Sequence, residues 1–204
     1  MKPSDPQPRT FHQFEAMGGV LTFTLFEDAA GDEATALTAI GAVLGEAGLE
    51  DLRRLGCRSI DDGIFFGDCF DPKTGALLHP GTVTLKGNKV LTAPKLIDLD
   101  GQTVLNSSRS LPEPGTGGEF AHAFAHPPYG MRAPNREVQA VFDKIVAIIM
   151  PEYRSHIIRD WSSPHLAEFY EIFSMGMEWW GVFLFTVQVP DLRRLTVIVG
   201  SSTD

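Results

Sequence analysis

The chain lacks most of the features that would assign it to a biochemical class at once. Its 204 residues contain no apolar run approaching the ~18 residues that cross a bilayer. The first ten residues carry no apolar stretch of signal-peptide length. We therefore expect a cytoplasmic protein with no membrane partner. Its two cysteines, Cys57 and Cys69, follow no CxxC or zinc-type spacing, and we interpret them as reduced thiols.

Positive charge is also scarce. Lys and Arg total 17 against 26 Asp and Glu, which gives a formal net charge of −9. The basic residues are scattered, and their densest groups are the pairs at 53–54 and 193–194. A phosphate backbone would be repelled by such a surface, so we predict no nucleic-acid partner. Neutral or cationic ligands are favoured instead, unless Arg132 and Arg159 converge on an anion.

Recognised catalytic and cofactor motifs are missing as well. No G-x-S-x-G marks a nucleophile elbow. The glycines at 115–118 follow a proline-containing stretch rather than a strand, which excludes a Rossmann fingerprint and a P-loop. The sequence thus leaves the cofactor unknown, and it leaves open whether the chain is an enzyme.

What the chain does contain predicts an α+β fold. Apolar residues make up 43% of it, enough for a packed core. Three prolines in residues 1–10 predict a flexible tail, and residues 11–204 are interpreted as one domain. Helical and strand patterns are mixed without strict alternation. This mixture favours a mostly antiparallel sheet packed against two or three helices.

Periodicity places the individual elements. Alternation predicts a strand over 20–26, and apolar residues at three and four predict a helix from Asn135 until Pro151. Residues 63–70 are interpreted as a strand. Further patterns predict a helix after Asp32, hairpins around Gly87-Asn88 and Pro190-Asp191, a short helix over 164–173 and a long loop over 106–118.

The segment Ile97–Val104, IDLDGQTV, resembles the first motif of haloacid dehalogenase-like phosphatases. That resemblance implies a phosphoryl acceptor at Asp98, an acid/base at Asp100 and a nearby magnesium ion. Gln102 displaces the threonine of the family motif by one place, and the paired acidic residues that the family uses downstream are missing. A strand that ends in an Asp-Gly turn also explains the segment.

Glu119, His122 and His126 form a candidate metal site. The two histidines are four residues apart, so they share a face in a helix and also in a strand. Imidazole and carboxylate groups are ordinary metal ligands, although the order of the metalloprotease motif HExxH is absent. Two satisfied or solvent-facing histidines are the alternative, and a proton-transfer role is a third.

The last third of the chain holds the candidate ligand site. A rigid loop precedes a segment rich in His, Arg, Asp and Trp, and a second aromatic segment comes after it. Gathered around one cavity, these groups could hold a small molecule. The candidate residues are Tyr129, Arg132, His156, Arg159, Asp160, Trp161, His165, Glu178 and Trp179.

These patterns are compatible with three functions. The first is a non-catalytic binding or interaction protein, with a homodimer through the Trp-containing C-terminal hairpin as one form of it. The second is a small-molecule enzyme that uses the His, Arg and Asp cluster of the same region. The third is a metal-dependent enzyme at Glu119, His122 and His126.

Overall fold

A computed structural model describes residues 1–108, 113, 116, 119–174, 176–177 and 180–201. Within them the longest helix has 15 residues, and none combines the length and the hydropathy needed to cross a bilayer. The α-helices are α1 (Arg9–Ala16), α2 (Glu33–Leu44), α3 (Leu49–Leu55), α4 (Asp62–Phe66), α5 (Phe120–Ala125), α6 (Asn135–Ile149) and α7 (Leu166–Phe169), and single 3-10 turns cover Leu96–Leu99, Glu171–Phe173 and Pro190–Leu192.

The strands form one large and two small antiparallel sheets. They are β1 (Lys2–Pro3), β2 (Leu21–Glu27), β3 (Arg58–Ile60), β4 (Phe70–Asp71), β5 (Ala76–Leu77), β6 (Thr82–Leu85), β7 (Lys89–Thr92), β8 (Val104–Ser107), β9 (Ile157–Asp160), β10 (Val182–Val189) and β11 (Arg194–Ser201). The large sheet has the order β1-β2-β11-β10-β9-β3, and the small ones are β4-β5 and β7-β6-β8. The predicted α+β class with a mostly antiparallel sheet is confirmed.

Helices cover both faces of the six-stranded sheet. One face packs Phe23, Phe185 and Ile158 against α1, α4, α5 and α6. The other packs Leu184 and Val197 against α2, α3 and α7. All eight residues of β10 are buried, because both of its faces meet a core. This explains why its sequence, VFLFTVQV, is almost continuously apolar instead of alternating.

The helix predicted from Asn135 is confirmed, but its N-terminus is capped from outside. Asp100 accepts hydrogen bonds from the backbone N–H groups of Asn135 and Arg136, at 2.9 and 3.0 Å. The bond from Arg136 is the largest cause that lowers the pKa of Asp100. Asp98 lies in the preceding 3-10 turn and not at the end of a strand. The segment that resembles a phosphatase motif therefore serves as a helix cap.

The strand predicted over residues 63–70 is wrong, since the helix α4 occupies its first half and only Phe70 begins a strand. Asp61 caps α4 by accepting the N–H of Ile64 at 2.9 Å. Gly67 then ends the helix with a positive φ of 69°. Phe65 and Phe66 both face the core, and that packing replaces the alternation that a strand would need. The prediction failed because an apolar run of this length fits either structure.

The N-terminal residues, predicted to be a flexible tail, contact the sheet. Lys2 and Pro3 pair with Glu27 and Phe26 of β2. The side chain of Gln7 donates to the carbonyl of Leu25 and accepts its N–H, at 3.1 and 2.9 Å. The prediction from proline content missed this contact, in which the side-chain amide of Gln7 donates and accepts hydrogen bonds as the backbone of a neighbouring strand would.

Candidate ligand-binding cleft

Strand β9 sends the predicted site residues to opposite faces of the large sheet. Ile158 belongs to the core on one face and Trp161 to the core on the other. Because side chains alternate along a strand, His156 and Asp160 share the face of Ile158, whereas Arg159 shares that of Trp161. A single cavity cannot gather all four side chains.

Several of these residues have structural partners. Asp160 is buried, pairs with Arg58 at 2.7 Å and accepts the N–H of Ser162 at 2.9 Å. The ring nitrogen of Trp161 donates to Thr186 at 3.0 Å. Arg159 donates to the carbonyl of Gly31 at 3.2 Å, which ties the start of α2 to the sheet. These contacts account for the density of polar and aromatic groups in this segment.

The remaining predicted residues lie apart. Tyr129 is 68% exposed, and His165 is exposed with its ring 2.7 Å from Glu168. Arg132 is exposed, and its backbone N–H donates to Met17. Arg132 and Arg159 therefore have different surroundings and different partners. Glu178 and Trp179 lie outside the described residues, as does most of the predicted loop over 106–118.

The candidate metal ligands occupy the start and one face of α5. The rings of His122 and His126 have centroids 5.6 Å apart, and that of His79 lies 6.0 Å from His126. Glu119 precedes the helix and lies instead against Gly67 and Asp68. No set of three or more His, Cys, Asp or Glu side chains in the described part of the chain is arranged to hold a metal ion.

A cleft of about 510 Å³ opens beside α4 and the C-terminal end of α6. Its walls come from two segments that are remote in sequence, 62–72 and 146–156. Of the residues predicted for the ligand site, His156 alone lines it among those that the structure describes. The cleft thus lies at the beginning of the predicted region rather than at its centre.

The floor of the cleft is apolar and aromatic. The rings of Phe66 and Phe70 stack with centroids 4.3 Å apart and planes 24° apart. Phe66 also contacts the rings of the main core, so the floor is anchored from below. Val146 and Met150 of the α6 end complete the wall. Such a surface favours a flat or branched apolar group.

Carboxylates dominate the rim. Asp68 and Glu152 are exposed at its edge, and neither lies within 4.0 Å of a cationic nitrogen of a described residue. Arg154, the arginine of the rim, is 3.8 Å from Asp191 outside it. The rim therefore carries negative charge that the neighbouring side chains leave uncompensated.

A hydrogen bond joins the two walls at one end. Nε2 of His156 lies 2.7 Å from Oδ1 of Asp62, the first residue of α4. Nδ1 of His156 is buried and has no hydrogen-bond partner among the described residues. The bond holds α4 against the start of β9, and thereby sets the width of the cleft at that end.

Glu119 extends the negative region behind the rim. The carboxylate lies against Gly67, where the positive φ of 69° and the Glu119 Cα, 3.0 Å from a built Cβ, favour glycine. Burial raises the pKa of Glu119, and the nearby charge of Asp68 raises it further. The backbone N–H of Asp68 donates to the same carboxylate and lowers the pKa in part. Glu119 thus lies beside Asp68, which lines the cleft, although Glu119 does not line it itself.

An exposed aromatic ring stands at the lip. Tyr153 is fully exposed at 101% of its reference area, and its φ of 61° lies in the left-handed region. A non-glycine residue has a conformational cost there, which a neighbouring turn has to offset. Tyr153 is one of the residues that line the cleft.

Sequence reasoning missed the cleft because no local motif encodes it. Phe66, Phe70 and Met150 appear in the sequence as ordinary core residues, and the two walls are about eighty positions apart. One signal was present: Asp61-Asp62 before a glycine and an aromatic pair is a helix start, which would have placed Asp68 after the helix.

Comparison with protein-family models, with curated proteins and with solved structures found no match to this chain. The function of the chain has therefore to be inferred from the geometry and the chemistry of the cleft.

Proposed function

We propose that the protein binds a small molecule with an apolar or aromatic body and a cationic group in the cleft of segments 62–72 and 146–156. The observation that carries this proposal is the pairing of a stacked Phe66–Phe70 floor with the uncompensated carboxylates of Asp68 and Glu152. The floor accounts for the body of the ligand, and the rim accounts for its charge.

Size and lining support a small ligand. Sites for small molecules are concave, measure roughly 300–1,000 Å³ and are mostly apolar with a few polar groups. A cleft of about 510 Å³ falls within that range. Phe66 is 6% exposed and Met150 is 8% exposed, so the floor belongs to the packed interior and is already formed. A ligand would bind there with little rearrangement.

Charge selects the ligand class. A cation at the rim would meet Asp68 and Glu152, with Glu119 close behind Asp68. Each exposed pair contributes about 0–1 kcal/mol, so the two exposed carboxylates give selectivity more than affinity. An anion would be repelled by the same groups, since Arg154 lies beside Asp191.

The position of His156 favours ligand binding over catalysis. Its Nε2 lies next to Asp62 and its Nδ1 is enclosed, so neither ring nitrogen is available to a ligand in this arrangement. Proton transfer to a substrate would require the bond to Asp62 to break. The first hypothesis from the sequence, a binding protein, therefore has more support than its alternative, a small-molecule enzyme.

A homodimer through the C-terminal hairpin stays a prediction. Both strands of that hairpin lie inside the large sheet, where β10 also pairs with β9 and β11 also pairs with β2. Neither strand therefore offers an open edge to a second copy.

Phenethylamine and hydrocinnamate test the proposal as a matched pair, because both carry a phenyl ring on a short chain and they differ in charge. Amide NMR titrations should show perturbations in segments 62–72 and 146–156 with the amine, and much weaker ones with the carboxylate. Equal responses, or perturbations elsewhere in the chain, would refute the proposed ligand class.

The variant Asp68→Asn provides the charge test. It should weaken binding of phenethylamine about two- to fivefold, the effect of one exposed ion pair. Glu46→Gln is the matched control. It removes one carboxylate from the exposed linker between α2 and α3, and these helices cover the other face of the sheet. An equal effect of both variants would assign the selectivity to net charge and not to the cleft.

A further inference from the structure

The three-stranded sheet β7-β6-β8 has an open edge at β7. Strand β6 pairs with β7 on one side and with β8 on the other, and β7 pairs with no other strand of the described chain. The N–H of Ala93 donates to Gly81, so the hydrogen-bonded pairs of this ladder continue at Leu91 and Lys89. The backbone groups of Val90 and Thr92 therefore point away from β6.

This edge is accessible along its length. Lys89, Val90 and Thr92 are exposed, and Val90 is exposed by 61%. An exposed strand with free N–H and C=O groups is a template for another strand. The exposed Val90 side chain adds an apolar contact on the outer surface of the sheet.

Lysines are concentrated in the part of the chain that contains this edge. Four of the six lysines of the chain lie at 73, 86, 89 and 95, and residues 72–97 contain no Asp or Glu. Lys86 and Lys89 have no carboxylate of a described residue within 4.0 Å. Lys73 and Lys95 interact with Asp71, and Asp98 lies across a groove from Lys86 and Lys89. Lys86 and Lys89 thus supply the free positive charge.

We infer that the open edge of β7 binds an extended acidic peptide segment of another protein, which adds to the sheet as a fourth strand. Backbone hydrogen bonds to Val90 and Thr92 supply the pairing, and Lys86 and Lys89 select the partner by charge. Strand addition of this kind takes its affinity from the main chain and its specificity from side chains.

The lysines also exclude the competing occupant. Lysine on an edge strand deters pairing with neutral or basic strands, because its charge has to be buried or brought near a like charge. A second copy of β7 paired in parallel would bring Lys86 and Lys89 close to their own equivalents, and one paired antiparallel would add two more uncompensated lysines to the same short edge. An acidic strand converts the same repulsion into attraction, so the charge pattern favours a different protein over self-association.

The direct probe is a fluorescent peptide in which Asp alternates with Val. It has about ten residues, which is long enough for one strand. Its binding is measured by anisotropy, and amide NMR locates it. The expected result is binding that perturbs the amides of Val90 and Thr92 and weakens with added salt. The same peptide N-methylated at every residue keeps its charges but cannot pair, and it should not bind.

Matched variants separate local charge from total charge. The double variant Lys86→Gln, Lys89→Gln should weaken binding of the peptide about fivefold, the effect of two exposed ion pairs. Lys2→Gln with Lys144→Gln removes the same charge from exposed positions on β1 and α6, and should leave binding unchanged.

Equal binding of the N-methylated peptide would overturn strand addition, since charge alone would then explain the affinity. Binding of single-stranded oligothymidylate instead of the peptide, with the same dependence on Lys86 and Lys89, would also overturn it. So would NMR perturbations that leave Val90 and Thr92 unaffected.

Discussion

The cleft and the β7 edge present opposite charges on one chain. Asp68 and Glu152 at the cleft rim have no cationic partner among the described residues, whereas Lys86 just before β7 and Lys89 at its start have no anionic one. The net charge of −9 agrees with the acidic rim of the cleft but gives no indication of the basic region at β7. The difference teaches that a partner class has to be argued from local charge, since exposed charges farther apart than a Debye length of roughly 8–10 Å are screened.

The two regions also differ in how the chain builds them. The cleft joins segments 62–72 and 146–156, which the fold brings together from remote positions. The small sheet is local, because β6, β7 and β8 succeed one another within residues 82–107. Variants can therefore disturb one region while the other serves as an internal control.

The largest effect is expected from Phe66→Ala, which removes the cleft floor. Phe66 contacts Phe65, Phe70, Phe120 and Phe142, so its loss should lower the free energy of unfolding by about 3 kcal/mol. Amine binding should be lost and peptide binding at β7 kept. Chemical denaturation measures the change in the free energy of unfolding. Ile64→Ala, a half-exposed position of the same helix, should cost under ~1 kcal/mol, and equal costs would contradict the packing.

Asp160→Asn tests whether the polar segment at 156–165 is structural. It breaks the ion pair between the buried Asp160 and the half-exposed Arg58, and solvent screening of Arg58 limits the expected cost to about 2 kcal/mol. The melting temperature should fall while the amine titration of the cleft stays the same. A change in amine affinity at unchanged stability would reinstate Asp160 as a ligand-site residue.

Glu119→Gln probes the negative region behind the cleft. The pKa of Glu119 is raised in the folded state by burial and then by Asp68, so the folded state holds this proton more tightly than the unfolded state. Stability from this group is present below the unfolded pKa and is lost as pH rises through the folded pKa. Near neutral pH the melting temperature of the variant should therefore be a few degrees above that of the native chain. In acid the two melting temperatures should be equal. A difference in melting temperature that stays the same at all pH values would contradict this.

Thiol labelling gives the smallest and most local signal. Burial raises the pKa of Cys69 to about 12, with the charges of Glu119 and Asp68 as further causes, and burial raises that of Cys57 to about 11. Cys69 directly precedes Phe70 of the floor. We expect iodoacetamide to alkylate the partly buried Cys57 slowly and Cys69 only after unfolding, as measured by mass spectrometry. Rapid labelling of Cys69 in the native chain would show that the floor opens.

The sequence predicted elements well where one periodicity dominates. The helix from Asn135 and the C-terminal hairpin are confirmed, because each presents a long pattern that packing reinforces. Residues 63–70 were mispredicted because the same apolar residues suit a strand and a helix, and the Asp61 cap decided between them. Caps supplied by remote residues, such as Asp100, have no local signature.

The candidate site could be predicted only in part. His156 was chosen for its residue type and does line the cleft, but the alternation of β9 separates its predicted neighbours. The walls depend on tertiary contacts between α4 and the end of α6, which no spacing rule encodes. The lysines near β7 were interpreted as scattered, although the absence of acidic residues over 72–97 was visible in the sequence. Counting both signs in one window would have found them.

Reversal of the rim charge tests the cleft most directly. Isothermal titration of phenethylamine and hydrocinnamate should show the native chain preferring the amine by about tenfold, as two exposed pairs allow. Asp68→Lys combined with Glu152→Lys changes two exposed side chains and should reverse that preference while the fold persists. If the native chain binds both compounds equally, or if the reversed variant keeps the amine preference, the cleft does not select its ligand by charge.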